Sequence, residues 1–339
     1  MQELIPHIDD WLARGEAIAS ATVVRTMGSS PRPVGAKLIV SSAQSLAGSV
    51  SGGCVEGAVI EACQTSLVND QPRLLHIGVA DEDAWALGLA CGGEIDILVE
   101  PLTHYAAIRH ALTTEYPIAT ATRITGPHLG RKLLITPAGI AHGNLGDPTL
   151  EQRVSRDAQT LLTHAITKVV EYPDLACSFL IESFAPAPRL FLIGAVHIAI
   201  SLDTLAQVLG FHTVIVDPRA SFANRERFPH AHELLVAWPD EVLPGRLDAR
   251  SCLAVLTHDP KLDDPALRVA LDSPARYIGA LGSNKTHTKR LARLRQEGFT
   301  EDQLARIYAP IGMPLGGKRP EEIALSILAQ IVKVQQERC

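Results

Sequence analysis

At 339 residues the chain exceeds the ~100–200 residues of a typical domain, so two domains are expected; with 46% hydrophobic and 20% charged residues it has ordinary material for packed cores and little room for long disorder. The formal charge of −6 is spread without blocks, which excludes nucleic acid and anionic membrane as the main partner, since both call for clustered Lys and Arg. No run approaches the roughly 18 apolar residues of a membrane span, and six cysteines without a C-x-x-C pair fit neither a disulfide framework nor a zinc site.

The first element, "MQELIPHIDDWLARGE", is acidic and amphipathic and does not read as a signal peptide, so a cytoplasmic protein is expected. Next, "ASATVVRTMGSSPRPVGAKLIVSS" reads as two strands joined by the loop Gly28 to Gly35, with Arg32 within it and Lys37 near its end. Such a loop either brings backbone N–H groups and cations to an anionic ligand or is a long hairpin connection.

In "GSVSGGCVEGAV" the apolar residues Val55, Ala58, Val59 and Ala62 recur at helical spacing, so a helix starts at or just after Cys54. A thiol there feels the positive end of the helix dipole, which favours the thiolate. In "DEDAWALGLACGGEIDILVEP" a strand follows Cys91. Each of these cysteines adjoins a glycine pair, Gly52 and Gly53 before the first, Gly92 and Gly93 after the second, and glycine pairs let backbone approach something bulky. Cys63, Cys177 and Cys252 read as small buried side chains. Neither an internal repeat nor a low-complexity tract is read from the sequence.

The alternating Ala-Pro steps of "SFAPAPRL" mark an extended connection, dividing the chain into residues 1–186, a mixed α+β domain, and residues 187–339. In the second part short apolar runs alternate with helix-like stretches: "RLFLIGA", "HTVIVDP", "ELLVAW", "SCLAVLTHD", "ARYIGALGS" and "RIYAPIG". This is the pattern of a Rossmann-like, doubly wound parallel sheet. Gly194, His197, Asp217, Arg219, His258, Asp259, Gly282 and Ser283 fall at strand ends and are expected to line a possible nucleotide crevice. The basic stretch "KTHTKRLARLR" reads as a solvated helix face with Leu291 and Leu294 on its apolar side. Gly194-Ala195-Val196-His197-Ile198-Ala199, with Asp217 after the second strand, approaches the dinucleotide fingerprint, but Val196 stands where a missing side chain lets the backbone reach the pyrophosphate. NAD(P) is therefore disfavoured.

The ordered phrases "GSSPRPVGAKLIV", "GSVSGGCVEG", "GLACGGEIDILVEP", "RLFLIGAVHIA", "VIVDPRASFANRERFP", "VLTHDPKLDDPAL", "YIGALGSNKTHTKRL" and "APIGMPLGGKRPEEIALSILA" together resemble the XdhC/CoxI family of xanthine dehydrogenase accessory factors. The resemblance implies a carrier without turnover of its own: it binds the molybdenum cofactor, supports its sulfuration with a cysteine desulfurase as sulfur donor, and inserts it into a xanthine dehydrogenase-type molybdenum hydroxylase. By position it makes Cys54 and Cys91 the cofactor-contacting thiols, either one the candidate metal contact, with Gly52, Gly53, Gly92 and Gly93 shaping the pocket. Arg32 and Lys37 are then either phosphate-neutralising groups or surface charges. Members commonly carry Gly where this chain has Val196. A homodimer is expected as the commonest soluble assembly. Two other readings stay open, an NAD(P)-dependent oxidoreductase using the Rossmann-like part and a thiol redox protein using Cys54 and Cys91.

Overall fold

A computed structural model describes residues 1–28, 32–53, 55–78, 93–114 and 116–337, and the chain divides into two units, Met1–Pro186 and Ala187–Cys339. The first unit begins with α1 (Ile5–Ala13), β1 (Ile18–Met27), β2 (Lys37–Ser41), β3 (Leu46–Gly48), α2 (Glu56–Asn69), β4 (Arg73–Ile77) and β5 (Glu94–Pro101). It continues with α3 (Tyr105–Thr113), β6 (Ile118–Arg123), β7 (Lys132–Thr136), β8 (Gly139–Gly143), α4 (Pro148–Thr163), β9 (Lys168–Tyr172) and β10 (Cys177–Phe184).

Among the described residues each run of seven elements builds one antiparallel sheet, with orders β3-β2-β1-β5-β4 and β8-β7-β6-β10-β9. The two orders are the same order. The expectation of no internal repeat is thus overturned: the unit is one helix–strand module used twice. The repeat is visible in the letters once the registers are aligned, as "IASAT" (18–22) against "IATAT" (118–122) and "GAKLIVS" (35–41) against "GRKLLIT" (130–136).

Strand periodicity explains those letters. Ala19 and Ala21 point to one face, where their small size lets α2 pack on the sheet, and Ala119 and Ala121 do the same beneath α4. The opposite faces meet. Val24 and Leu98 of one sheet share a cluster with Ile124 and Leu180 of the other. Around that cluster lie Ser20, Thr22, Thr120 and Thr122, all buried, so this layer is apolar at its centre and polar around it.

The second unit contains β11 (Arg189–Ile193), α5 (His197–Val208), β12 (His212–Val216), β13 (Glu233–Leu235), α6 (Pro239–Val242), β14 (Cys252–Val255), α7 (Pro260–Leu271), β15 (Tyr277–Ala280), α8 (Asn284–Gln296), α9 (Glu301–Leu304), β16 (Ile307–Tyr308) and α10 (Pro320–Glu337). Its strands are all parallel in the order β13-β12-β11-β14-β15-β16, that of a dinucleotide-binding Rossmann sheet. Leu190 and Leu192 join the cluster under α5 and α10, while Phe191 and Ile193 join the one under α7 and α8, so both faces are covered and the strands read as unbroken apolar runs. Among the described residues no helix is long and apolar enough to cross a membrane.

Leu98 and Leu180 occupy matching positions, opposite Thr22 and Thr122 in the two sheets, and both are fully buried. Leu98→Ala and Leu180→Ala should each lower unfolding free energy by about 2–5 kcal/mol, checked by denaturant titration. A cost below ~1 kcal/mol at either would show that the two sheets do not pack as described.

Candidate functional site

The loop from Gly48 to Glu56 is shaped at both ends by packing. At Gly48 a Cβ would lie 2.3 Å from the Lys37 carbonyl oxygen, and the backbone has φ +84°, so only glycine fits where β3 leaves the sheet. Ser49 N–H then donates to that same carbonyl at 2.9 Å. Val50 and Val55 plug into the core under α2, and between them the chain bulges outward through Gly52 and Gly53, at φ +80° and +119°. Among the described residues no atom lies within 4 Å of a Cβ built on Gly53, and what glycine supplies there is a φ of +119° that other residues rarely adopt.

Glu56, at the start of α2, organises this bulge. Its carboxylate accepts hydrogen bonds from Ser49 Oγ at 2.8 Å, Ser51 N at 3.1 Å, Gly53 N at 2.9 Å, Val55 N at 3.2 Å, and Ser51 Oγ. Burial opposes its ionisation, but the bonds from Ser51 and Ser49 outweigh that and hold the carboxyl down at about 2. Sequence reasoning missed this residue. Its only signal was an acidic residue at a helix start, where the dipole favours a carboxylate.

Cys54, Cys91 and Gly92 lie outside the described residues, so the thiol redox alternative, which turns on the distance between the two sulfurs, is not carried further. Gly93, leading into β5, is buried. Arg32 is half-buried and its Nε donates to the Ser49 carbonyl at 3.2 Å, so it braces the loop. Lys37 corrects an expectation. It is 9% exposed, its ammonium 2.8 Å from Glu182 and 2.6 Å from Thr22 Oγ1, and it serves as a buried cross-link between the sheets instead of a phosphate-neutralising or surface charge. Cys63, Cys177 and Cys252 are buried, and burial pushes the Cys63 and Cys252 thiols up to about 12, which keeps them protonated and inert.

In the second unit Gly194 ends β11 at φ +96°, where a Cβ would lie 2.1 Å from Thr257 Cγ2. Val196 has ordinary extended dihedrals, and its side chain lines a cavity of about 670 Å³ at the carboxyl ends of the strands. His197, Arg219, His258 and Asp259 line the same cavity. Gly282 and Ser283 instead start α8, where Ser283 Oγ caps Thr286 N. Asp217 is fully buried and committed: Oδ2 accepts from Ala195 N at 2.8 Å and Arg219 Nη2 at 2.7 Å, Oδ1 from Arg219 N at 2.9 Å and Nε at 2.8 Å. The acid that would hold a ribose in a dinucleotide site is here a brace for the turn.

Behind the cavity Thr257 donates to Asp263, whose other oxygen is 3.1 Å from Arg290. Burial, opposed by those two partners, pushes the Asp263 carboxyl up to about 6. Arg290 is 1% exposed, so the basic stretch of α8 is not a wholly solvated face. Its signal was spacing, since Arg290 lies four residues before Leu294 on the same helix face. Among the described residues no group of three or more His, Cys, Asp or Glu side chains is arranged to hold a metal ion.

Residues 11–78, which include the Gly48–Glu56 loop, match the family described as "XdhC and CoxI family", and residues 190–331 match the "XdhC Rossmann domain". The chain is 29% identical to a probable xanthine dehydrogenase subunit from Bacillus subtilis, over 97% of this chain and 96% of that one. It is 25% identical to the "Molybdenum cofactor insertion chaperone PaoD" of Escherichia coli, over 96% and 85%. A crystal structure described as a xanthine dehydrogenase from Bacillus halodurans superposes with a TM-score of 0.75 at 25% identity, covering 99% of this chain and 96% of that one.

Glu56→Gln should lower stability by about 1–3 kcal/mol at neutral pH, because the amide cannot accept all the loop's donors. The ordinary value of 4.5 falls to about 2 on folding, so the carboxylate's contribution is complete above pH 4.5 and lost as pH falls toward 2. Denaturant titrations of both proteins across that window should converge at the acid end.

Proposed function

Because this chain belongs to the XdhC and CoxI family, we propose that it is a carrier that binds the molybdenum cofactor and inserts it into a xanthine dehydrogenase-type molybdenum hydroxylase, without turnover of its own. The observation that carries the reading is the Gly48–Glu56 loop: a bulge through Gly52 and Gly53, held by hydrogen bonds to Glu56, Arg32 and the Lys37 carbonyl. A carrier of an oxygen-sensitive dithiolene complex needs a pre-shaped seat more than it needs acid–base chemistry, and a soft thiolate suits such a cargo. In this reading Cys54 and Cys91 contact the cofactor, with Gly52, Gly53, Gly92 and Gly93 forming the walls. The names of the relatives from Bacillus subtilis and Escherichia coli support it.

The finer parts of the proposal are that the cofactor is sulfurated while bound, with a cysteine desulfurase as donor, and that the carrier works in the cytoplasm as a homodimer. NAD(P) has no place in it. Val196 lines the crevice where the pyrophosphate would approach, and Asp217 is already held by Arg219 and Ala195.

Purified without oxygen from cells that make the cofactor, the wild type should carry molybdenum and pterin, and Cys54→Ser or Cys91→Ser should lose most of both. Metal and pterin at background in the wild type would end the carrier reading. Titration with NADH and NADPH should leave cofactor fluorescence unchanged; saturable enhancement would restore the oxidoreductase reading.

A further inference from the structure

The repeat in the first unit gives several features of the Gly48–Glu56 loop a counterpart. Gly143 matches Gly48: it follows the paired strand in the same register, has φ +98°, and a Cβ on it would lie 2.1 Å from the Lys132 carbonyl oxygen. Six residues separate Gly48 from Val55, and six separate Gly143 from Leu150. Glu151 matches Glu56, and its carboxylate accepts from Leu145 N at 2.7 Å and Gly146 N at 3.3 Å. The two loops differ in chemistry. The second, "NLGDPT", has Asp147 capping α4 through Thr149 N and Leu150 N, while the first, "SVSGGC", has glycines and a thiol.

The lysines that support these loops are cross-linked reciprocally. Lys37 of the first copy pairs with Glu182 of the second at 2.8 Å, and Lys132 of the second pairs with Glu100 of the first at 2.7 Å. Glu100 stands opposite Ser20, and Glu182 opposite Thr120, the same position in each sheet. Lys37, Glu182 and Glu100 are buried and Lys132 is partly buried, so each carboxylate holds its lysine's ammonium and restrains the strand that carries that lysine's carbonyl.

We infer that the second copy of the module is the structural mate of the first, and that Glu182 is a positioning residue for the Gly-Gly-Cys loop, acting through Lys37 and its carbonyl on Gly48 and Ser49. Glu100 does the same, through Lys132, for the loop at 144–149. The role of the first loop as a cargo seat rests on the proposed function; the positioning does not.

The symmetry supplies its own control. Glu182→Gln and Glu100→Gln are compared in the full chain without cargo by amide hydrogen exchange. Glu182→Gln should raise exchange in residues 49–56 by ~10-fold or more and leave 144–151 unchanged, and Glu100→Gln should do the reverse. If each variant loosens both loops alike, or neither loop, the assignment is overturned and the carboxylates are general cross-links. Should a single variant fail to fold, Lys37→Met with Glu182→Gln and Lys132→Met with Glu100→Gln, which leave no unpaired buried charge, carry the same comparison. Molybdenum and pterin per chain, measured on the same proteins purified from a cofactor-making host, should fall in Glu182→Gln and hold in Glu100→Gln. Equal loss in both overturns the selective role, whereas a wild type without cargo removes the carrier reading and leaves the exchange result to decide the positioning.

Discussion

A lysine caught between two sheets must keep its charge paired, and in the first unit that requirement does more than any apolar contact to fix geometry. Hydrophobic contacts such as Val24 with Leu98, Ile124 and Leu180 tolerate sliding, because their attraction has no direction. The ammoniums of Lys37 and Lys132 do not, since a displaced partner leaves a buried charge at Lys37, and a partly buried one at Lys132, without a counterion. The bridges therefore set how the sheets align across the layer. From that alignment follow the positions of the two carbonyls on which Gly48 and Gly143 rest, and from those the paths of both loops.

The second unit uses charge in the same inward manner at a different place. Asp217 ties Arg219 and the backbone of Ala195 together at the ends of adjacent strands, while Thr257 packs against Gly194 and donates a hydrogen bond to Asp263, which pairs with Arg290. The result is a crevice whose acidic groups are largely consumed in holding its own walls. Facing the cavity are an aliphatic floor, His197, His258, Thr257, Asp259 and Arg219, the last with its guanidinium 4.1 Å from the centre of the Phe222 ring.

How far the sequence spoke depended on what each layer is made of. The Rossmann strands were legible because a sheet covered on both faces is written as apolar runs between glycines and prolines, and β11, β12, β14 and β15 fall where those runs lie. The first unit hid its architecture because one face of each sheet carries Ser, Thr, Lys and Glu around a small apolar centre. A buried layer of that composition looks like surface, which is why Lys37 read as a cation for a ligand. The repeat was in plain letters at 18–22 and 118–122, but the connections between matching strands differ, residues 78–93 in the first copy against 173–176 in the second, and this breaks any fixed period. Arg290 was hidden in the same way, one inward residue in a helix whose composition is otherwise that of a solvated face. Glu56 carried no letter-level sign of how many donors converge on it.

Two copies of a module on one chain can diverge where two identical chains cannot. In an assembly of equal halves every substitution is made twice, so opening one loop would open both and forfeit two helix caps. With the halves joined, Asp147 caps the second helix through Thr149 N and Leu150 N, while the first loop runs through Gly52 and Gly53 at positive φ and is tied to Glu56. The reciprocal bridges keep the two halves alike, and the difference between "SVSGGC" and "NLGDPT" is where they have parted.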